Sequence, residues 1–316
     1  MAATAVSFLS CTIPKLSSTK FNSFIFVTHF PPPFSSTSLS VATATNADKL
    51  SNVLSFRLTK SRKSRRNPTP PVAAMIYPQN PVLSDIFANL FSGIVALSVL
   101  RFWEETAKRD LFDQKLNRKL VHISIGLVFM LCWPLFSSGY RGAILAAITP
   151  GVNIIRMLLI GSGIWKDEAT VKSMSRYGDY RELLKGPLYY ATTITVACVV
   201  YWRTSPIAVA AICNLCAGDG IADIVGRRFG KQKLPYNRDK SIAGSVAMAT
   251  AGFVASVGFM YYFAHFGYIQ ESWEMALGFL IVSLASAVVE SLPISTELDD
   301  NLTVTLTSIF VGSLVF

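Results

Sequence analysis

From about residue 82 onward the chain alternates long apolar stretches with short polar ones. Eight apolar segments run over roughly 82–103, 120–137, 142–160, 187–203, 206–217, 242–266, 275–293 and 302–316. Several reach the ~20 apolar residues that a helix needs to cross a bilayer. The fifth is short and the sixth generous, so the pattern accommodates seven or eight crossings. The predicted fold class is all-α, a multi-spanning integral membrane protein. A composition that is 51% hydrophobic agrees with this, being richer in apolar residues than an ordinary soluble domain.

The polar segments sharpen the picture. If all eight stretches cross, the connections near 104–119, 161–186, 218–240 and 294–301 share one face. The first three hold 16 of the 20 Lys/Arg found after residue 75. Such asymmetry predicts that this face looks toward the stroma or cytosol. Omitting one crossing before residue 218 scatters the basic loops over both faces.

Charge changes the reading of the N-terminus. The formal net charge of +10 is concentrated in residues 1–75, which hold nine Lys/Arg and a single acid, Asp48. The remainder carries 20 basic and 18 acidic residues and is nearly balanced. Basicity is therefore no argument for nucleic-acid binding by the body of the chain. Residues 1–74 are rich in Ser and Thr, broken by Pro31–Pro33, and basic toward Lys60–Arg66. No apolar core follows a basic start, so a secretory signal does not fit, whereas a chloroplast transit peptide does. The other reading is a disordered cytosolic tail. Removal of the segment is expected near Val72–Met75, leaving a membrane domain over 75–316. The expected address is a chloroplast membrane, envelope or thylakoid. No protein partner is inferred.

Cys132, Cys198, Cys213 and Cys216 fall in apolar stretches. Cys213 and Cys216 have C-x-x-C spacing but no second ligand pair, so they read as small buried hydrophobes and not as a zinc site. The five tryptophans lie near segment ends and read as an interfacial belt.

Candidate chemistry concentrates in 218–245. Asp219 and Asp223 are four apart, and on a helix they would share a face and a divalent cation. Gly226 and Gly230 are placed to let backbone N–H groups approach a phosphate. Arg227, Arg228 and Lys240 supply positive charge. Ser241, Gly244 and Ser245 open the next apolar helix, whose N-terminus suits an anion. The stretch thus reads as a metal–nucleotide site or as a positive loop that only orients the protein in the membrane. Arg118, Lys119 and His122 open the second apolar segment, with Arg118 and Lys119 candidates to bind the nucleotide and His122 a candidate base or phosphate contact, or a packed interfacial histidine. Glu290, Asp299, Asp300 and Asn301 join the last two segments, and a carboxylate such as Glu290 near a span end must face protein, water or a cation. Together with Asp219 and Asp223 these acids are candidates to surround one or two Mg²⁺ ions. No Walker A loop, protein-kinase motif set or G-x-S-x-G elbow is present.

Asp219, Ala222, Gly226 and Gly230 followed by Lys240, Ser241, Gly244 and Ser245 resemble the nucleotide region of the CTP-dependent polyprenol kinases. That region has the form D-x-x-A-x-x-x-G-x-x-x-G, an insert, then K-[ST]-x-x-G-S. The early Arg118, Lys119 and His122 and the late Glu290, Asp299, Asp300 and Asn301 are similar to two further motifs of the family, in the same order. The resemblance spans about 80–316 and is strongest to the plastid farnesol and phytol kinases of plants. Ala243 departs from it, since many members carry Glu there.

The resemblance implies a membrane enzyme that phosphorylates an isoprenoid alcohol, farnesol first and phytol as the alternative, from CTP with Mg²⁺. It implies a metal at Asp219 and Asp223 with Asp299 and Asp300 as a second pair. It also implies phosphates held by Lys240, Ser241, Gly244, Arg227 and Arg228, and a proton acceptor in His122 or an aspartate. Two competing functions are a cytidylyltransferase that forms a CDP-lipid and a transporter with gating loops. A transporter would place ionisable residues inside the spans, where Arg156 alone stands out.

Overall fold

A computed structural model describes residues 75–76, 79–293 and 299–316. The expected transit segment, 1–74, lies outside the described residues. Helices account for nearly all the architecture. They are α1 (Pro81–Lys108), α2 (Gln114–Leu131), α3 (Tyr140–Gly161), α4 (Glu168–Met174), α5 (Gly186–Val196), α6 (Pro206–Cys213), α7 (Gly220–Phe229), α8 (Ile242–His265), α9 (Trp273–Ser291) and α10 (Asp300–Val315). A two-stranded antiparallel ribbon, β1 (Lys233–Leu234) and β2 (Asn237–Ser241), leads into α8.

Among the described residues, seven helical stretches are long and apolar enough to cross a membrane, and the 16-residue α10 is an eighth, shorter apolar helix. Their ends are set by ordinary capping. Asn80 accepts from the N–H of Leu83 with Pro81 at the first position of α1, and Ser272 accepts from the N–H of Met275 to start α9.

The fifth stretch departs from the sequence expectation. The segment near 206–217 does not end at Gly218 but continues as one helical run, Pro206–Phe229. Its middle, Asn214–Asp219, is a π-helical turn. The run survives two glycines because it is buried all round, and small residues let neighbours close on it. A Cβ at Gly220 would overlap Ile123 of α2, and one at Gly218 would lie 3.3 Å from the carbonyl of Met248 in α8. Only 230–241 is left as a polar connection.

Contacts between successive helices show the chain alternating in direction. At one end Asn117 of α2 bonds Thr106 and the Trp103 carbonyl of α1, Asn301 of α10 bonds the Gly186 carbonyl of α5, and Lys240 reaches Glu290 and Asp300. At the other end Asp85 accepts from Ser137, and Arg203 donates to the carbonyls of Trp133 (2.6 Å) and Phe136 (2.8 Å). The described parts of the four polar connections of the sequence reading, with 299–301 of the last, therefore gather at one end.

The tryptophan belt needs correction. Trp133 and Trp202 are buried in an aromatic cluster with Phe136 and Phe263, closed by the guanidinium of Arg203 over Trp202 and Tyr268. Burying a cation is offset here by carbonyl acceptors and ring faces. Trp165 and Trp273 are exposed, as a belt requires. Cys132, Cys198, Cys213 and Cys216 are buried and unpaired.

Candidate active site

The site forms where the π-helical turn of the fifth span meets α2, α9 and α10. Asp219 closes that turn and is almost fully buried. An isolated buried carboxylate is costly, and here two donors meet it. The ammonium of Lys119 lies 2.6 Å from Asp219 Oδ2, and His122 Nε2 lies 3.2 Å from the same oxygen. Lys119 and His122 are three apart on α2 and so share a face.

The carbonyl of Leu215 fixes the histidine. It lies 2.7 Å from His122 Nε2, and a carbonyl oxygen only accepts, so that nitrogen carries the proton. His122 Nε2 therefore donates and is not the atom that takes a proton from substrate. Tyr190 of α5 sets the height of this turn of α2. Its hydroxyl donates to the His122 carbonyl (2.7 Å) and accepts from the Gly126 N–H (2.9 Å), standing in for a helical hydrogen bond. Nothing in the sequence marked Tyr190 or the Leu215 carbonyl. One is an ordinary aromatic in an apolar run, and the other is backbone released in a wide turn.

Glu290 and Asp300 complete a carboxylate group. One oxygen each of Asp219, Glu290 and Asp300 lies within 4.8 Å of the others. Lys240 binds both Glu290 and, at 3.2 Å, Asp300 Oδ2. Lys240 lies outside the spans. Burial alone would lower its pKa, but the neighbouring carboxylates of Asp300 and Glu290 outweigh that and hold it above the usual lysine range. Asp300 Oδ1 is buried and has no hydrogen-bond partner.

Several expected residues take other places. Asp223 does not join Asp219. It is one turn further along α7, half-exposed, and paired with Arg227 at 2.5 Å. Asp299 caps α10 by accepting from the N–H of Asn301, whose amide in turn bonds Gly186. Arg228 is exposed. Gly226, Gly230 and Gly244 pack helix against helix. A Cβ at Gly244 would lie 3.1 Å from the Ala222 carbonyl and 3.4 Å from Gly226, and one at Gly230 would overlap Gly226 and Ser241. Ser241 caps α8, accepting from the Gly244 N–H at 3.1 Å, while the hydroxyl of Ser245 in the same turn is buried without a partner. The glycine motif thus draws α7 against the start of α8 and brings Lys240 to Glu290.

Arg156 is no isolated charge within a span. It binds Glu104 (3.1 Å) and Asp167 (2.9 Å) in a network closed by Thr170. A surface depression of about 1040 Å³ is an apolar groove between α7 and α8 along Val225 and Val246, and no carboxylate lines it. The chemistry lies instead in the polar junction. Three carboxylates and a cation at the ends of spans suit a hard divalent cation and a polyanionic ligand. Their position gives access both to water and to a hydroxyl anchored at the membrane surface.

No protein-family model matches the chain, and no solved structure matches it. Curated relatives do. A Glycine max protein named "Probable phytol kinase 3, chloroplastic" is 71% identical over 236 residues, 75% of this chain and 74% of its own. Farnesol kinase, chloroplastic, of Arabidopsis thaliana is 65% identical over 261 residues, 83% of each chain. Phytol kinase 1, chloroplastic, of the same plant is 44% identical over 240 residues, 75% of this chain and 78% of that one.

Proposed function

The chain belongs to the family of chloroplast farnesol and phytol kinases, and on that premise we propose that it transfers the terminal phosphate of CTP to farnesol, with Mg²⁺ held by Asp219, Glu290 and Asp300. It is a chloroplast membrane enzyme that phosphorylates an isoprenoid alcohol. The choice of farnesol over phytol, and of CTP over another nucleotide, is our reading. The single observation that carries the mechanism is the convergence of Asp219, Glu290, Asp300 and Lys240 at one end of the spans. A prenol dissolves its chain in the bilayer and leaves its hydroxyl at that level.

The donor set fits the ion. It is oxygen-only, and it includes Asp300 Oδ1, a buried oxygen still without a partner. When bound, Mg²⁺ supplies charge neutralisation to the phosphates. In the transfer, the prenol oxygen bonds to the terminal phosphorus as the bond to the bridging oxygen breaks. The nucleoside diphosphate departs, and the alcohol proton passes to a carboxylate. The acceptor is a carboxylate oxygen of this group that the ion leaves free, because His122 Nε2 is already a donor. Lys240 holds Glu290 and Asp300 together against their mutual repulsion and adds positive charge where phosphate charge develops. Lys119 and His122 hold the Asp219 carboxyl in place.

The test is an assay in membranes with γ-labelled CTP or ATP, Mg²⁺, and farnesol, geranylgeraniol or phytol. Label is expected in prenyl monophosphate, most from CTP and farnesol. Pyrophosphate released on adding phosphatidic acid, with no labelled lipid, would replace this reading by CDP-lipid synthesis. Asp300→Asn should lower kcat about 100-fold or more while the protein stays folded, since Lys240 keeps Glu290 as partner. Wild-type rates in that variant would remove Asp300 from the mechanism.

A further inference from the structure

The first turns of α2 place Gln114, Lys115 and Arg118 against the segment Ser175–Gly178, a connection that the sequence reading treated only as part of a basic loop. This segment is tightly built. The Gln114 amide reaches the Ser175 carbonyl (3.4 Å) and hydroxyl (3.3 Å). Ser175 Oγ accepts from the Gly178 N–H at 2.9 Å, and Gly178 takes the left-handed φ of +81° that the turn requires. Glu182 accepts from the backbone N–H groups of Arg176 (2.5 Å) and Tyr177 (3.1 Å). The Lys115 ammonium sits 5.7 Å from the Tyr177 ring. Six polar or ring contacts over four residues hold one short segment in place.

What this scaffold presents is a second guanidinium beside Arg118. Gln114 and Arg118 are one turn apart on α2, and Gln114 bonds Ser175, the neighbour of Arg176, so the two arginines are carried on adjoining backbone; neither forms an ion pair among the described residues. Arg118 Nε is buried and has no hydrogen-bond partner. It adjoins Lys119, whose ammonium binds Asp219, so it belongs to the same turn of α2 that meets the carboxylate group. Two like charges on a fixed frame, one with a buried donor left over, are stabilised by an anion between them. Guanidinium groups match phosphate oxygens in pairs.

We propose that Arg118 and Arg176 form a clamp for the phosphate chain of the nucleoside triphosphate, which makes Arg176 a nucleotide-binding residue of this enzyme. The inference rests on the kinase reading. A lipid headgroup at the same level would offer the same phosphate chemistry, so the test separates the two sources.

The full chain is reconstituted in neutral phosphatidylcholine vesicles as wild type, Arg176→Gln and Arg176→Lys, with Arg181→Gln as a control on the neighbouring exposed arginine. The nucleotide KM is expected to rise about ten-fold or more in Arg176→Gln, the loss of one charge-assisted phosphate contact. The farnesol KM should stay within about two-fold. Arg176→Lys should recover part of the loss, and Arg181→Gln should match wild type. Inhibition by inorganic pyrophosphate should weaken in parallel. An unchanged nucleotide KM, or both KM values rising together, would overturn the clamp. So would a defect that appears only when phosphatidic acid is added to the vesicles, which would assign the pair to a headgroup. If the wild type phosphorylates no prenol, the kinase reading fails on its own. Thermal stabilisation by Mg²⁺ and pyrophosphate then decides the clamp: loss of it in Arg176→Gln supports the pair, and its retention overturns it.

Discussion

Lys119 and Asp219 form a buried pair that stabilises only while both members are present. Their side chains are 5% and 2% exposed and their charged atoms 2.6 Å apart. Removing one member strands the other in a low-dielectric interior, which typically costs about 3–5 kcal/mol, whereas replacing both is often near neutral. Lys119→Met should therefore lower stability by about 3 kcal/mol or more. The double variant Lys119→Met/Asp219→Asn should recover most of that loss and remain inactive. Thermal unfolding in detergent, read beside a turnover assay, checks both parts. A double variant no more stable than the single one would show that the pair is not what pays for burying Asp219. Turnover in the double variant would show that the carboxylate is dispensable. The same argument explains why Asp219→Asn alone is a poor probe of catalysis, since it leaves Lys119 without its partner.

At the scale of elements, the contact of α7 with the start of α8 is set by missing side chains. Gly230→Ala would drive a methyl group into Gly226 and Ser241, and Gly244→Ala would crowd the Ala222 carbonyl at 3.1 Å. Overpacking of this kind costs typically 1–3 kcal/mol. Gly258, in the same α8, has nothing within 4 Å of the equivalent position. There alanine should be neutral or stabilise by up to about 1 kcal/mol. Melting temperatures of the three variants test the contrast, and equal effects would remove the packing role. Gly230→Ala should also slow turnover, because Lys240 follows from this contact. The helices themselves were largely legible, since a run of apolar residues such as 242–266 leaves little other choice in a membrane. The span 206–229 was not. Gly-Asp-Gly reads locally as a break, and only the neighbours that close on Gly218 and Gly220 make it a helix. The site was legible as a set of motifs and less so as a geometry. Asp219 and Asp223 have the spacing of a shared face, yet Asp223 turns to Arg227. Asp219 instead meets Glu290 and Asp300, which lie 71 and 81 positions further along the chain. Local spacing carries no information about such pairings.

For the whole molecule, the alternation of helices and the placement of charge make one statement about orientation. The polar junction, the segment 161–186 and the ribbon 233–241 lie at one end of the bundle, and most Lys/Arg after residue 75 lie with them. Basic connections stay on the side from which a membrane protein is inserted, which for an imported chloroplast protein is the stroma. Nucleotide and Mg²⁺ would then meet the site from the stroma, and the prenol from the bilayer. Of the five cysteines, Cys132, Cys198, Cys213 and Cys216 are buried, so in the chain lacking residues 1–74, and with them Cys11, single introduced cysteines can report sidedness against a low background. Arg181→Cys, on the basic end, should react with a membrane-impermeant maleimide applied from the stromal side and not from the other. Glu271→Cys, in the connection between α8 and α9 at the opposite end, should show the reverse. The same pattern in envelope or in thylakoid fractions would identify the membrane. Reversed labelling would turn the junction away from the stroma, and the nucleotide would have to be supplied from the other compartment. Both positions labelled from one side would mean that the helices between them cross the bilayer an even number of times. The three spans between them, Tyr180–Tyr201, Pro206–Phe229 and Ile242–His265, would then not all be single crossings.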